Sequence, residues 1–293
     1  MKSLKKPAPI EGGFKAFLQS NAAYMESSNT VAYLGRMAQG NDVLLDMADA
    51  VHVLIAGATG SGKSVMMHSI IASLMQKNTP ETARFLLIDP KRVEFFDYSS
   101  SDSLLGGRIC ESVEDATEAL SAIVDKMNER YDIFKCEHCR NIESYQKLGH
   151  PMYRFYIAVD ELSALMQEAR KEIEPLLSKI GMLGRAAGIH MIVATQHPDR
   201  KTITGTIQSN IPTVIGLATR TKVDSRMIIQ SDECTKLQGR GDAILVQGLE
   251  EIHFQGAYVS PEDIQEIVNN IDPMRKAFKK LMPYTDWFYQ GKA

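Results

Sequence analysis

Residues 57–64 read Gly-Ala-Thr-Gly-Ser-Gly-Lys-Ser, between an apolar run, Val51 to Ala56, and a helical stretch that begins at Lys63. Few short segments constrain a fold so tightly. A glycine-spaced loop that leaves a buried strand and enters a helix turns successive backbone N–H groups inward around an anion, and the helix N-terminus adds partial positive charge. The spacing G-x-x-x-x-G-K-[ST] predicts a phosphate loop. Gly57, Ala58, Thr59, Gly60, Ser61 and Gly62 form its cradle, Lys63 supplies a point charge for the β- and γ-phosphates of ATP, and Ser64 supplies a hydroxyl for Mg2+.

The remaining pattern extends that strand-loop-helix unit. Apolar, β-rich runs at Phe85–Ile88, Phe155–Val159, Met191–Ala194, Val214–Leu217 and Ala243–Val246 alternate with helical stretches such as Val65–Gln76, Val113–Phe134 and Ile173–Ala187. This alternation predicts an α/β fold: a mostly parallel sheet with helices on both faces, joined by right-handed crossovers. Upstream, Phe14, Phe17, Leu18, Ala22 and Tyr24 space out as one short amphipathic helix. Val31–Leu34 and Val43–Leu45, separated by Gly35, Gly40, Asn41 and Asp42, read as a hairpin. The expected division is an N-terminal arm and hairpin over residues 1–47, a core domain over 48–270 and a helical tail over 271–293, with Pro261 to Ala293 read as two short helices.

Composition excludes several classes of partner and location. With 33 Lys+Arg against 36 Asp+Glu, the net charge of −3 rules out a uniformly basic nucleic-acid coat and leaves only local basic loops for such contacts. The longest apolar run, Phe155–Val159, falls far short of the roughly 18 residues that span a bilayer. No membrane segment is expected. Met1 to Pro9 lacks the apolar stretch of a secretory signal, and the four cysteines are expected to be reduced, so the expected location is cytoplasmic. Cys136 and Cys139 bracket His138 with the spacing of half a zinc site. No second such pair follows, and a polar turn between helices is the expectation. Methionines such as Met66, Met67, Met182 and Met191 sit on apolar faces and read as core.

Hydrolysis at a phosphate loop needs a carboxylate on the metal side and a group that orients water. Phe155–Val159 ends in Asp160-Glu161, which supplies both: Asp160 for the Mg2+ shell and Glu161 to polarise the attacking water. Taken alone, two acids after an apolar run also suit a helix N-terminus. Met191–Ala194 runs into Thr195-Gln196, placing Gln196 at the sheet edge where α/β proteins hold ligands, in position to sense the γ-phosphate or the water.

Together with the phosphate loop, Ile88-Asp89-Pro90-Lys91, Val159-Asp160-Glu161, Gly184-Arg185-Ala186-Ala187-Gly188-Ile189-His190, Ala194-Thr195-Gln196, Ile203-Thr204-Gly205, Asn210-Ile211-Pro212-Thr213, Asp224-Ser225-Arg226 and Gly239-Arg240-Gly241-Asp242 follow one another in a distinctive order. Over about residues 33–268 the chain resembles the motor domain of the FtsK/SpoIIIE double-stranded DNA translocases. The resemblance implies a RecA-like P-loop NTPase fold, ATP hydrolysis, a homo-oligomeric and specifically hexameric ring, and sequence-independent passage of duplex DNA through that ring. It implies that Arg185 is an arginine finger acting in a neighbouring subunit's site, a position that by itself suits a cation at a helix C-terminus. It also implies DNA-facing loops carrying Arg200, Lys201, Arg220 and Lys222. Two positions depart from the family pattern: His197 stands where Arg is usual and Gln208 where many members have Lys, which predicts fewer phosphate contacts and a flatter salt dependence. Family members add membrane helices and a winged helix for which this chain has no room, so a minimal form, such as a mobile element encodes, is expected. The rival readings are a related ring ATPase that moves a protein and a non-motor subunit that binds nucleotide as a structural ligand.

Overall fold

The computed structural model describes residues 13–270. Its strands are β1 (Val31–Arg36), β2 (Asp42–Asp46), β3 (Val53–Ala56), β4 (Ala83–Ile88), β5 (Arg154–Val159), β6 (Ile189–Thr195), β7 (Thr213–Leu217), β8 (Asp242–Gln247) and β9 (Glu250–Gly256). Its helices are α1 (Gly13–Ser20), α2 (Ala22–Glu26), α3 (Met47–Ala50), α4 (Lys63–Gln76), α5 (Val113–Cys136), α6 (Ile142–Lys147), α7 (Leu162–Glu168), α8 (Arg170–Ala187), α9 (Gly205–Asn210), α10 (Lys222–Ile229) and α11 (Pro261–Asn270). The tail expected over 271–293, with the second of the two helices read after Pro261, lies outside the described residues.

All nine strands join one sheet in the order β2-β1-β9-β8-β7-β3-β6-β5-β4. From β7 to β4 neighbouring strands are parallel. From β7 back to β2 every pairing is antiparallel. The α/β fold with a parallel core is therefore present, with an antiparallel half attached. β8, expected among the parallel strands, runs the other way because Leu217 at the end of β7 pairs with Ala243 near the start of β8. The helical connection between them returns to the edge it left instead of crossing the sheet. β9 has no counterpart among the expected strands, since Glu250, Glu251, His253 and Gln255 dilute its apolar signal.

Strand alternation supplies two cores. On β3, Val53 and Ile55 face one apolar cluster with Met66, Ile70 and Leu74 of α4, while Leu54 and Ala56 face another with Ile123 of α5 and Ile180 of α8. Burial on both faces explains why the central strands are continuously apolar. The hairpin and N-terminal helices form the outer layer of the first cluster: Phe14, Phe17, Tyr24 and Tyr33 are buried there. β1 pairs with β9 through Gly35 and Gly256. Two serines on α4, one turn apart, complete the joint, because Ser69 Oγ donates to Tyr33 O at 2.6 Å and Tyr33 N donates to Ser73 Oγ at 3.0 Å. The strand's backbone thus finds hydrogen-bond partners in an otherwise apolar layer. At the same corner Phe14 N donates to Tyr258 O at 3.1 Å, and Lys15 pairs with Glu266 of α11.

At the opposite end of the central strands, Met191 N donates to His52 Nδ1 and His190 Nδ1 meets Val51 O, each at 3.0 Å. Burial pulls His52 down to about 4, against the opposing effect of the Gly181 and Ile180 carbonyls. Burial, reinforced by Arg154 and His52, pulls His190 down to about 3. Unfolded histidines bind a proton near pH 6.5, whereas these folded ones stay neutral, so stability falls as pH drops from about 6.5 toward 4. Each contributes a loss of about 2 kcal/mol between pH 7 and pH 5. Urea unfolding of the wild type and of His190→Gln at those two pH values should show a drop smaller by about that amount in the variant. Equal drops would assign the acid sensitivity to other groups.

Candidate functional site

Parallel strands β3, β6 and β5 end at one edge of the sheet, where Ala56 pairs with Thr195 and Val159 with Val193. The Gly57–Gly62 loop leaves that edge and enters α4. Gly60 and Gly62 have φ of 79° and 104°, backbone states that side chains resist. Packing adds a second constraint at Gly62, where a Cβ would lie 2.4 Å from Gly241 N. Gly241 N donates to Ser61 O at 2.8 Å, so the segment Gly239–Gly241 braces the loop from outside.

Lys63 and Asp160, 97 residues apart, meet in the buried floor. Lys63 Nζ donates to both the Asp160 carboxylate and the Asp160 carbonyl at 2.8 Å, with the two side chains 4% and 2% exposed. Ser64 lines the same cavity of about 580 Å3, as do Ala58, Thr59, Gly60, Gly62 and Gln196. Ser61, within the loop, is itself buried. Gln196 Oε1 accepts from Thr59 Oγ1 at 2.7 Å, joining the loop to the end of β6.

Glu161, also buried, has its carboxylate held by four donors. Oε1 accepts from Ser163 Oγ at 2.8 Å, Thr195 Oγ1 at 2.9 Å and Gln196 N at 3.2 Å, while Oε2 meets Lys91 Nζ at 3.2 Å. Burial alone would raise its pKa. Hydrogen bonds from Ser163 and Thr195, with the charges of Lys63 and Lys91, outweigh that and hold it below the ordinary carboxylate range. Such a group is ionised at neutral pH and suited to orienting a water molecule more than to retaining its proton.

Arg185 is not at this edge. It lies near the end of α8, before β6 begins, on an exposed surface with Leu183 and with Met182, which the sequence reads as core but which is 62% exposed, and it forms no ion pair among the described residues. The basic candidates fall into two loops at the phosphate-loop edge. Arg200 and Lys201 follow β6, and Arg220 and Lys222 follow β7, the two strands that flank β3. All four are exposed. Lys222 is partly neutralised by Asp232 at 3.6 Å, which also binds Arg226 at 2.6 Å. Gln208 is turned toward α10, its amide 3.4 Å from Met227 O, and His197 is exposed. Cys136 ends α5 and Cys139 lies in the turn that follows, with no cluster of three metal-binding side chains among the described residues.

Of the partners of Glu161, Gln196 is read from the sequence as a site residue, whereas Ser163, Thr195 and Lys91 are not. Lys91 belongs to a motif the sequence displays, but its contact lies 70 residues away and carries no spacing signal. Removing it by Lys91→Met should cost about 1 kcal/mol or less, because the lysine is half-exposed and screened. In a Glu161→Gln background the same change should cost almost nothing. A denaturant double-mutant cycle measures the difference, and additive effects would mean the two side chains do not interact in solution.

Comparison with known proteins agrees with this architecture. The family model for the FtsK/SpoIIIE family matches residues 14–200. A protein named DNA translocase FtsK from Caldanaerobacter subterraneus subsp. tengcongensis is 39% identical over 240 residues, covering 80% of this chain and 34% of the relative. One of the same name from Lactiplantibacillus plantarum is 38% identical over 257 residues, covering 83% and 32%. This chain spans about a third of the length of these curated relatives. Among solved structures, the pCW3 conjugation coupling protein TcpA, determined with ATPgS, matches with a TM-score of 0.74 and 25% identity over 90% of this chain and 75% of its own. The cytoplasmic domain of the Type VII secretion ATPase EccC from Thermomonospora curvata matches with a TM-score of 0.76 at 22% identity, over 90% and 34%, a likeness of fold. With its P-loop α/β core, its ordered motifs and a family match over most of its length, the chain belongs to the FtsK/SpoIIIE family.

Proposed function

We propose that this chain is an ATP-hydrolysing motor that acts in the cytoplasm as a homo-oligomeric, hexameric ring and moves double-stranded DNA without reading its sequence. The principal support is the shared sheet edge: a phosphate loop beside Asp160, Glu161 and Gln196, with basic loops on both flanking strands. The name DNA translocase carried by its relatives points the same way. Among the described residues no helix is long and apolar enough to cross a membrane.

Ser64 and Asp160 offer a hydroxyl and a carboxylate, hard oxygen donors of the kind Mg2+ takes. Bound there, Mg2+ would neutralise charge on the β- and γ-phosphates. Lys63 turns from Asp160 to the phosphates, Glu161 orients the attacking water, and Gln196 spans the space between the loop and that water. Arg185 belongs to a neighbour's site. The seven residues of β6, about 20 Å of extended chain, separate it from its own phosphate-loop edge. Its exposed guanidinium therefore completes catalysis across a subunit boundary, which makes assembly a condition of turnover.

Lys63→Ala should weaken ATP binding, while Glu161→Gln should bind ATP and not hydrolyse it. Arg185→Ala should also bind without turnover, and mixing it with Glu161→Gln should recover activity at mixed interfaces. No recovery in rings shown to be mixed would remove the shared site. ATP hydrolysis should rise with linear duplex DNA of any sequence. A rate indifferent to duplex DNA would favour a protein substrate, and absence of hydrolysis a structural role for nucleotide.

The DNA loops have a separate signature. Lys222→Ala should reduce the slope of log affinity against log salt by about one per lost phosphate contact, and Lys171→Ala on α8 should leave it unchanged. Unchanged slopes for alanine variants of all four loop cations would move the DNA path elsewhere.

A further inference from the structure

The order of strands determines which end of a nucleotide can lie where. Asp160, Glu161 and Gln196 follow β5 and β6, on one side of β3 and its phosphate loop. On the other side stand β7, β8 and β9. With the γ-phosphate toward the carboxylates, the sugar and base must extend toward β8 and β9. There the same cavity is walled by Arg240 and by Gln255, Gly256 and Tyr258 from the end of β9 and the residues after it.

This wall is held rigidly against the loop. Gly241 N donates to Ser61 O, and Gln255 Nε2 donates to Arg240 O at 2.8 Å. Arg240 itself is held at φ 54°, in the left-handed region. Two flat side chains nevertheless stay uncovered. Tyr258 is 59% exposed although its carbonyl is anchored by Phe14 N. Arg240 is exposed and makes no ion pair among the described residues. An aromatic ring and a guanidinium plane are the surfaces on which a nucleobase stacks.

Resting on the nucleotide assignment above, we propose that Tyr258 and Arg240 form the base subsite and hold the nucleobase by stacking. Stacking uses the π-face that every base has, so adenine and guanine are held similarly and most selectivity at this site is for the presence of a base.

Calorimetric titration with ADP, GDP and inorganic pyrophosphate, each with Mg2+, tests this without turnover. The wild type should bind both nucleotides more tightly than pyrophosphate. Tyr258→Ala should weaken ADP and GDP about tenfold and leave pyrophosphate unchanged, and Arg240→Ala should act in the same direction. Tyr258→Phe should bind as the wild type does, because the ring and not the hydroxyl is required. ADP binding unchanged by both alanine variants, or an equal loss of pyrophosphate, overturns the base subsite while leaving the phosphate site standing. Failure of the wild type to bind any of the three overturns the nucleotide assignment and the subsite with it.

Discussion

The buried pair of Lys63 and Asp160 ties the first turn of α4 to the end of β5, across the intervening strand β6. Neither charge has appreciable solvent, so each has the other as its compensating partner. Such pairs contribute little net stability, but loss of one partner leaves an uncompensated buried charge. The arrangement therefore suits exchange of partners more than permanence. In the proposed cycle a polyphosphate at the loop would offer Lys63 a denser set of acceptors and free the Asp160 carboxylate for a cation. In that cycle the resting ion pair holds open the place its components later occupy.

The parallel core and the phosphate loop were legible because their signals are local. Each central strand is a short apolar run between turn residues, and the loop has its own spacing. Strand direction is not local: nothing within Ala243–Val246 distinguishes a parallel strand from an antiparallel one, and the answer lies in where the preceding helical connection returns. The hairpin was read correctly as two strands, whereas its integration into the sheet depends on Ser69 and Ser73, which look like unremarkable polar residues in a helix. Asp160 and Glu161 follow an apolar strand and could be read from that. Thr195, Ser163 and Lys91 became visible only when the fold brought three separate segments to one carboxylate.

Electrostatics is similarly divided. A net charge of −3 conceals two basic loops that the topology places on either side of β3. The loops are not equivalent. Arg200 and Lys201 lie within a turn organised by Asp199, whose carboxylate accepts from Lys201 N and Thr202 N. Lys222 instead shares Asp232 with Arg226, so a phosphate approaching it must compete with a carboxylate already in place.

At the corner where Phe14 bonds to Tyr258 and Lys15 meets Glu266, the beginning and end of the described chain stand side by side. A folded unit whose entrance and exit adjoin behaves as a cassette. It can be carried inside a longer polypeptide without prying apart the segments on either side. Whatever is joined before residue 13 and after residue 270 attaches at one corner of the folded unit, so flanking modules share a single point of attachment and leave the opposite faces uncovered.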